Sequence, residues 1–150
     1  MTKIFICGFG TVGQGFAEVI ASRKNFFNEK YGKDVKIVGV MDSKTYAICE
    51  NGFNPLDLVE KKKSTGKVGD NVYTDSIAAL DSVDYDILVE VSPTDAKTGG
   101  VGLINIGHAL ECGKDVITVN KGPLALKFNE LISLAKEKHC KFRFEGSVGG

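Results

Sequence analysis

The stretch Ile4-Phe5-Ile6-Cys7-Gly8-Phe9-Gly10-Thr11-Val12-Gly13 decides how this chain folds. Four apolar residues run straight into a glycine-rich turn. A helical pattern runs straight out, with Val12, Phe16, Val19, Ile20 and Phe27 on one face. A Gly-x-Gly-x-x-Gly turn between a strand and a helix N-terminus is a pyrophosphate site. The first glycine makes the tight turn, the second lets the backbone approach the phosphates, and the third lets helix and strand pack closely. The helix N-terminus adds unpaired N–H groups and the positive end of its dipole. Gly8, Phe9, Gly10, Thr11, Val12 and Gly13 are therefore read as a dinucleotide-binding loop.

Outward from that loop, apolar runs alternate with helical patterns. The strands are expected at 4–7, 36–41, 86–91, 115–119 and 141–144, with a short extra one at 72–74. The helices are expected at 11–29, 55–63, 76–80, 102–112 and 123–139, and residues 43–54 and 64–71 read as loops. Nearly continuous apolar strands such as Ile87-Leu88-Val89 predict burial on both faces, as in a parallel sheet. The alternation predicts a doubly wound α/β fold with right-handed crossovers, forming a single domain over 1–150. Asn54-Pro55 and Gly122-Pro123 each place proline in a helix's first turn. In the last helix Leu124, Phe128, Leu131 and Ala135 recur at helical spacing.

Bulk composition narrows the partners. Hydrophobic residues make up 43% of the chain and charged residues 25%, as in an ordinary globular protein. Nineteen basic residues balance nineteen acidic ones, so neither nucleic acid nor an anionic membrane is expected as a partner. No apolar stretch approaches the ~18 residues that span a bilayer. Met1-Thr2-Lys3 leads directly into a strand, so no signal peptide is expected. Cys7, Cys49, Cys112 and Cys140 show no CxxC pairing. With Cys7, Cys112 and Cys140 in or beside core elements, they read as reduced thiols of a cytoplasmic protein. His108 and His139 read as structural, without a nearby cysteine partner that would make a zinc site.

In an open parallel sheet the ligand lies beyond the carboxyl ends of the strands. Small, polar or charged residues gather at those ends. After the second strand come Asp42, Ser43 and Lys44. Asp42 can take the adenosine ribose hydroxyls, which favours NAD, although it stands further past Gly13 than the usual spacing of about 20 residues. Lys44 can instead meet the 2′-phosphate of NADP, and Lys61-Lys62-Lys63 can fold over to help; otherwise that run is a solvated face. Ser92-Pro93-Thr94 forms a rigid turn beside the cofactor's centre, or a helix N-cap. Lys121 follows a strand and precedes Gly-Pro, so its ammonium is held where it can stabilise alkoxide charge or bind a carboxylate.

Taken together, GFGTVG at 8–13, Asp42-Ser43-Lys44, VEVSPTD at 89–95, VNKGPLA at 119–125 and EGSVGG at 145–150 resemble homoserine dehydrogenase. GFGTVG is common to many Rossmann proteins. NKGPLA followed by EGSVGG is far more specific, and the likeness runs along the whole chain. The resemblance implies NAD- or NADP-dependent interconversion of L-homoserine and L-aspartate 4-semialdehyde, a step of threonine and methionine biosynthesis. It implies that Phe9, Thr11 and Val12 line the pyrophosphate, that Ser92 lies near the nicotinamide, and that Lys121 touches cofactor and substrate. It implies a sodium-type cation held near Glu145, Val148 and Gly150, whose oxygen ligands suit a hard ion. It also implies a substrate-binding and dimerisation domain beyond residue 150, carrying the principal lysine acid/base, and a homodimer. The chain stops inside a glycine-rich motif, so it reads as a piece of a longer protein that binds cofactor without turnover. Two other readings share the glycine loop: another amino-acid dehydrogenase, such as an aspartate dehydrogenase, and a dinucleotide-sensing module without chemistry.

Overall fold

The computed structural model describes residues 1–148. Its centre is a seven-stranded sheet in the order β4-β3-β2-β1-β5-β6-β7. The strands are β1 (Thr2–Cys7), β2 (Val35–Met41), β3 (Thr45–Ile48), β4 (Asn71–Val72), β5 (Ile87–Glu90), β6 (Asp115–Thr118) and β7 (Phe142–Arg143). The helices are α1 (Thr11–Ser22), α2 (Lys24–Tyr31), α3 (Pro55–Thr65), α4 (Ser76–Leu80), α5 (Gly100–Glu111) and α6 (Lys121–Glu137), with a 3-10 turn over Glu145–Val148.

Side-chain alternation along β1 explains the layering. Phe5 and Cys7 face one side, packed with Leu88 and Val116 of the sheet, Ala79 and Leu80 of α4, Ile106 and Leu110 of α5, and Leu131 and Ala135 of α6. Ile4 and Ile6 face the other, packed with Ile37, Val40 and Val89, Ala17 and Ile20 of α1, and Leu58 and Val59 of α3. Apolar side chains buried this fully contribute about 1.5–3 kcal/mol each, so both faces of β1 are committed. At the β1–β2 pair the register shifts between Ile4 and Phe5. There a Cβ on Gly39 would lie 2.2 Å from the Phe5 ring; the glycine makes room for the phenylalanine. Burial pushes the Cys7 thiol well up, with the Glu90 carboxylate adding to the shift, so Cys7 is an inert core residue.

β1 pairs in parallel with β2 on one side and β5 on the other, and β5, β6 and β7 continue in parallel. The chain leaves β1 toward β2 and later returns to β5, which makes the carboxyl end of β1 the topological switch point.

Several boundaries differ from the sequence reading. The helix expected over 11–29 is two helices, broken at Arg23 (φ −104, ψ 8). Its N–H closes α1 on the Val19 carbonyl while its own carbonyl accepts from Phe27 to begin α2. A single non-helical residue leaves the apolar period almost intact, so the pattern does not mark the break. Val12 and Val19 lie in the open, at 52% and 51% exposure, whereas Ala17 and Ile20 are buried. Phe128, expected on the buried face of α6, is also exposed, just past a non-helical Lys127.

The loop expected at 43–54 contains β3, which runs antiparallel to both β2 and β4. The sheet is therefore parallel at its centre with an antiparallel edge. All four cysteines are free, but Cys112 is exposed and Cys140 half-buried. Among the described residues no helix is long and apolar enough to cross a membrane.

Candidate functional site

At the switch point the three loop glycines do three different things. Gly8 takes a left-handed φ of +96, and a Cβ there would come within 2.6 Å of the Ser92 backbone nitrogen. Only glycine makes this turn beside the β5 exit. A Cβ on Gly13 would come within 2.3 Å of the Gly8 carbonyl oxygen, so Gly13 lets α1 sit down on the turn. A Cβ on Gly10 would meet nothing within 4 Å. Nothing in the chain's own packing requires glycine there, and the space beside it suits a group that must approach the backbone closely. Gly10 is also the N-cap of α1, with no side-chain cap and no acidic residue in the first turn. The amino end of α1 is thus left for an anion.

This loop forms one wall of a cleft of about 350 Å³. Gly8, Phe9, Gly10, Thr11, Val12, Asp42, Ser43, Ser92 and Pro93 line it, as do Lys62, Tyr73, Val101 and Asn105. Gly13, Lys44, Thr94 and Lys121 are outside the lining.

Asp42 builds the second wall. Its Oδ1 accepts from the Lys44 and Thr45 backbone N–H groups at 2.9 and 2.7 Å and from the Thr45 hydroxyl at 3.2 Å. This is the side-chain turn that reverses β2 into β3. Its Oδ2 accepts from Lys62 Nζ at 2.9 Å and Val68 N–H at 3.3 Å, and Tyr73 donates its hydroxyl to the Asp42 carbonyl. Burial alone would raise the Asp42 carboxyl. The Lys62 ammonium and the Thr45 and Lys44 N–H groups outweigh it and hold the carboxyl below its ordinary value. A carboxylate offers about four lone-pair sites, so Asp42 is occupied by the protein itself. Lys62 supplies the cationic side chain among the described residues that line the cleft.

The third wall rests on Glu90, fully buried at the end of β5. The Ser92 N–H donates to Glu90 Oε1 at 2.8 Å, the Ser92 hydroxyl bonds the same oxygen, and Asn105 Nδ2 donates to Oε2 at 2.9 Å. Burial raises the Glu90 carboxyl above its ordinary value, and hydrogen bonds from Ser92 and Asn105 only partly offset this. The Thr118 hydroxyl donates to the Glu90 carbonyl at 2.8 Å, and Asn120 N–H donates to that hydroxyl at 3.0 Å. Asn120 then reaches Ser92 Oγ at 3.4 Å through Nδ2, while its Oδ1 caps α6 by accepting from Gly122 N–H at 3.2 Å. One hydrogen-bonded path therefore connects the Ser92 turn to Gly122 in the first turn of α6, next to Lys121, the first residue of that helix. A lysine there sits at the positive end of a helix dipole, against local preference.

Glu145 and Val148 both fall in the closing 3-10 turn, and Gly150 lies outside the described residues. Sequence reasoning passed over Tyr73, Asn105 and Glu90. The signal for Glu90 was present: a lone carboxylate inside the apolar run Ile87-Leu88-Val89-Glu90-Val91. No such local mark betrays Asn105 or Tyr73, which reach the cleft from distant elements. His108 does have a cysteine neighbour, contrary to expectation: Cys112 lies one helical turn on, with Sγ 3.7 Å from Nε2.

A glycine-rich turn at the switch point of a mostly parallel sheet, with the cleft at the strands' carboxyl ends, defines a Rossmann-type domain. Residues 8–145 match the family described as homoserine dehydrogenase, NAD binding domain, and the chain belongs to that family. It is 39% identical to a homoserine dehydrogenase of Methanocaldococcus jannaschii over 98% of this chain and 45% of the relative. It is 33% identical to an NAD(+)-dependent homoserine dehydrogenase of Pseudomonas canavaninivorans, over 97% and 43%. Among solved structures, a hyperthermophilic archaeal homoserine dehydrogenase in complex with NADPH superposes with a TM-score of 0.80 at 32% identity, covering 97% of this chain and 44% of that one. The chain spans a little under half the length of these relatives.

Proposed function

We propose that this chain is the cofactor-binding part, over 1–150, of an NAD(P)-dependent enzyme that interconverts L-homoserine and L-aspartate 4-semialdehyde. The observation that carries the reading is Gly10, whose missing Cβ leaves open space at an uncapped helix N-terminus. That space fits the pyrophosphate of a dinucleotide whose nicotinamide supplies or accepts hydride. Gly8, Phe9, Thr11 and Val12 complete the cradle, and Gly13 holds α1 against it.

Asp42 and Ser43 form the wall facing the adenosine ribose, and Lys44 follows them in the turn, outside the lining. Because Asp42 is occupied by Lys62 and backbone donors, a ribose hydroxyl there competes for the carboxylate, whereas a 2′-phosphate attracts Lys62. The cleft accordingly takes NADP or NAD, with Lys62 rather than Lys44 as the cation that favours NADP. Ser92, which Glu90 fixes, and Pro93 form the wall toward the nicotinamide, with Thr94 next in the chain and outside the lining. Lys121 is presented at the start of α6 to steady charge on the reacting oxygen. Its catalytic role is auxiliary, because the principal acid/base belongs to the part of the enzyme outside this chain. Glu145, Val148 and Gly150 are the candidate ligands for a sodium ion. The small-molecule substrate, the homodimer and the cytoplasmic location follow from the same reading.

The test is reduction of NAD+ and NADP+ by the protein encoded by the complete reading frame, with L-homoserine and L-aspartate offered separately. Homoserine-dependent reduction is expected. Aspartate-dependent reduction, or none with either, would overturn the assignment.

A further inference from the structure

At the end of the sheet opposite the cleft, α4 and α5 both terminate. His108 and Cys112 lie one turn apart on the same face of α5 and its cap, and Asp81 is the residue that caps α4. His108 Nε2 is 2.7 Å from Asp81 Oδ1 and 3.7 Å from Cys112 Sγ. All three ligand atoms lie within 4.8 Å of one another. We propose that Asp81, His108 and Cys112 form a binding site for a divalent cation of the Zn2+ type, separate from the cofactor cleft.

The donor set argues for that ion class. One imidazole nitrogen, one thiolate sulfur and one carboxylate oxygen suit zinc, whereas calcium and magnesium require mostly oxygen. Metal–ligand distances of about 2.0–2.3 Å place tetrahedral ligands roughly 3.3–3.7 Å apart. The His108–Cys112 separation already meets this, and the Asp81 carboxylate must retreat by less than its own width. Its side chain is 58% exposed, so it is free to do so.

Lys114, which lines the same surface pocket as Asp81 and Cys112, is engaged elsewhere: it pairs with Asp84 at 3.1 Å and lies over the Tyr85 ring. Three protein ligands leave the fourth position of a tetrahedral ion for water. When bound it ties α4, only five residues long and too short to persist alone, to the end of α5. Binding requires the thiolate and the neutral imidazole, and it releases the thiol proton to solvent.

The experiment is a Co2+ titration of the reduced, chelator-treated 150-residue chain, read by absorbance. One equivalent should produce a thiolate-to-cobalt charge-transfer band in the near ultraviolet, and Zn2+ should abolish it by displacement. Cys112→Ser should lose the band, His108→Ala and Asp81→Asn should weaken binding, and Cys140→Ser should leave it unchanged. Circular dichroism checks that each variant folds; Asp81 and Cys112 are exposed, and His108 and Cys140 are half-buried. Absence of the band in the parent chain overturns the proposal. So does its persistence in Cys112→Ser, or Co2+ binding unaffected by both His108→Ala and Asp81→Asn.

Discussion

Gly10→Ala should separate cofactor binding from folding. Gly10 has φ −82 in extended backbone, outside the left-handed region that requires glycine, and its new methyl would meet no protein atom within 4 Å. Stability should therefore be unchanged or rise by about 0.4–1 kcal/mol, because alanine restricts the unfolded chain. The same methyl fills the space that the phosphates need. Displacing them from one backbone N–H forfeits a hydrogen bond to a charged group, about 1.5–3 kcal/mol, or roughly tenfold to a hundredfold in Kd. Gly13→Ala is the counterpart. Its methyl lands 2.3 Å from the Gly8 carbonyl oxygen, an overpacking that costs about 1–3 kcal/mol and lowers Tm by several degrees. Thermal melts and fluorescence titrations with NADPH measure both effects. If Gly10→Ala melts like Gly13→Ala while binding NADPH as tightly as the parent, the division of labour in the loop is wrong.

Other perturbations have equally definite signs. Lys62→Ala should weaken NADPH binding roughly tenfold and leave NADH nearly unaffected; parallel titrations in which the ratio stays constant would remove Lys62 from the adenosine subsite. Because the Asp42 carboxyl is held low in the folded chain, its contribution to stability is in place above the unfolded value of about 3.9 and is lost as pH falls below it. Asp42→Asn should flatten that acid limb in urea melts taken across pH. Glu90 has the opposite sign. Its carboxyl is raised, so its contribution is complete below the unfolded value of about 4.3 and declines as pH rises through the folded one. Glu90→Gln should abolish that decline, whereas Glu90→Ala, which strands the Ser92 and Asn105 donors, should cost about 2–5 kcal/mol at any pH.

The parts of the fold that could be read from sequence are those written in contiguous residues. β1, the glycine loop and α1 form one uninterrupted signal, and Pro55 marks the start of α3 where the structure has it. What escaped depends on partners distant in sequence. β3 was lost because the reversal at Asp42 uses a side-chain turn with no glycine, and the short strand Thr45–Ile48 gains its order from pairing with β2. Lys62 could be placed in a charge run, but its reach to Asp42, twenty positions away, follows only from how α3 packs on α1. Glu90 looked like part of a motif. Its service as the floor under Ser92 became visible only when Asn105 and Asn120 were brought beside it. The sequence reading gives His108 no cysteine partner although Cys112 stands four residues on, and the third member of their cluster, Asp81, comes from the end of α4.

The central claim is that the cleft at the end of β1 binds a nicotinamide dinucleotide. An amide-resolved NMR titration of the isotopically labelled chain with NADPH tests it directly. Saturable one-site shifts concentrated at Gly8–Gly13, Asp42–Ser43 and Ser92 are the result predicted. Shifts that fail to saturate, or that concentrate away from the glycine loop, would contradict it.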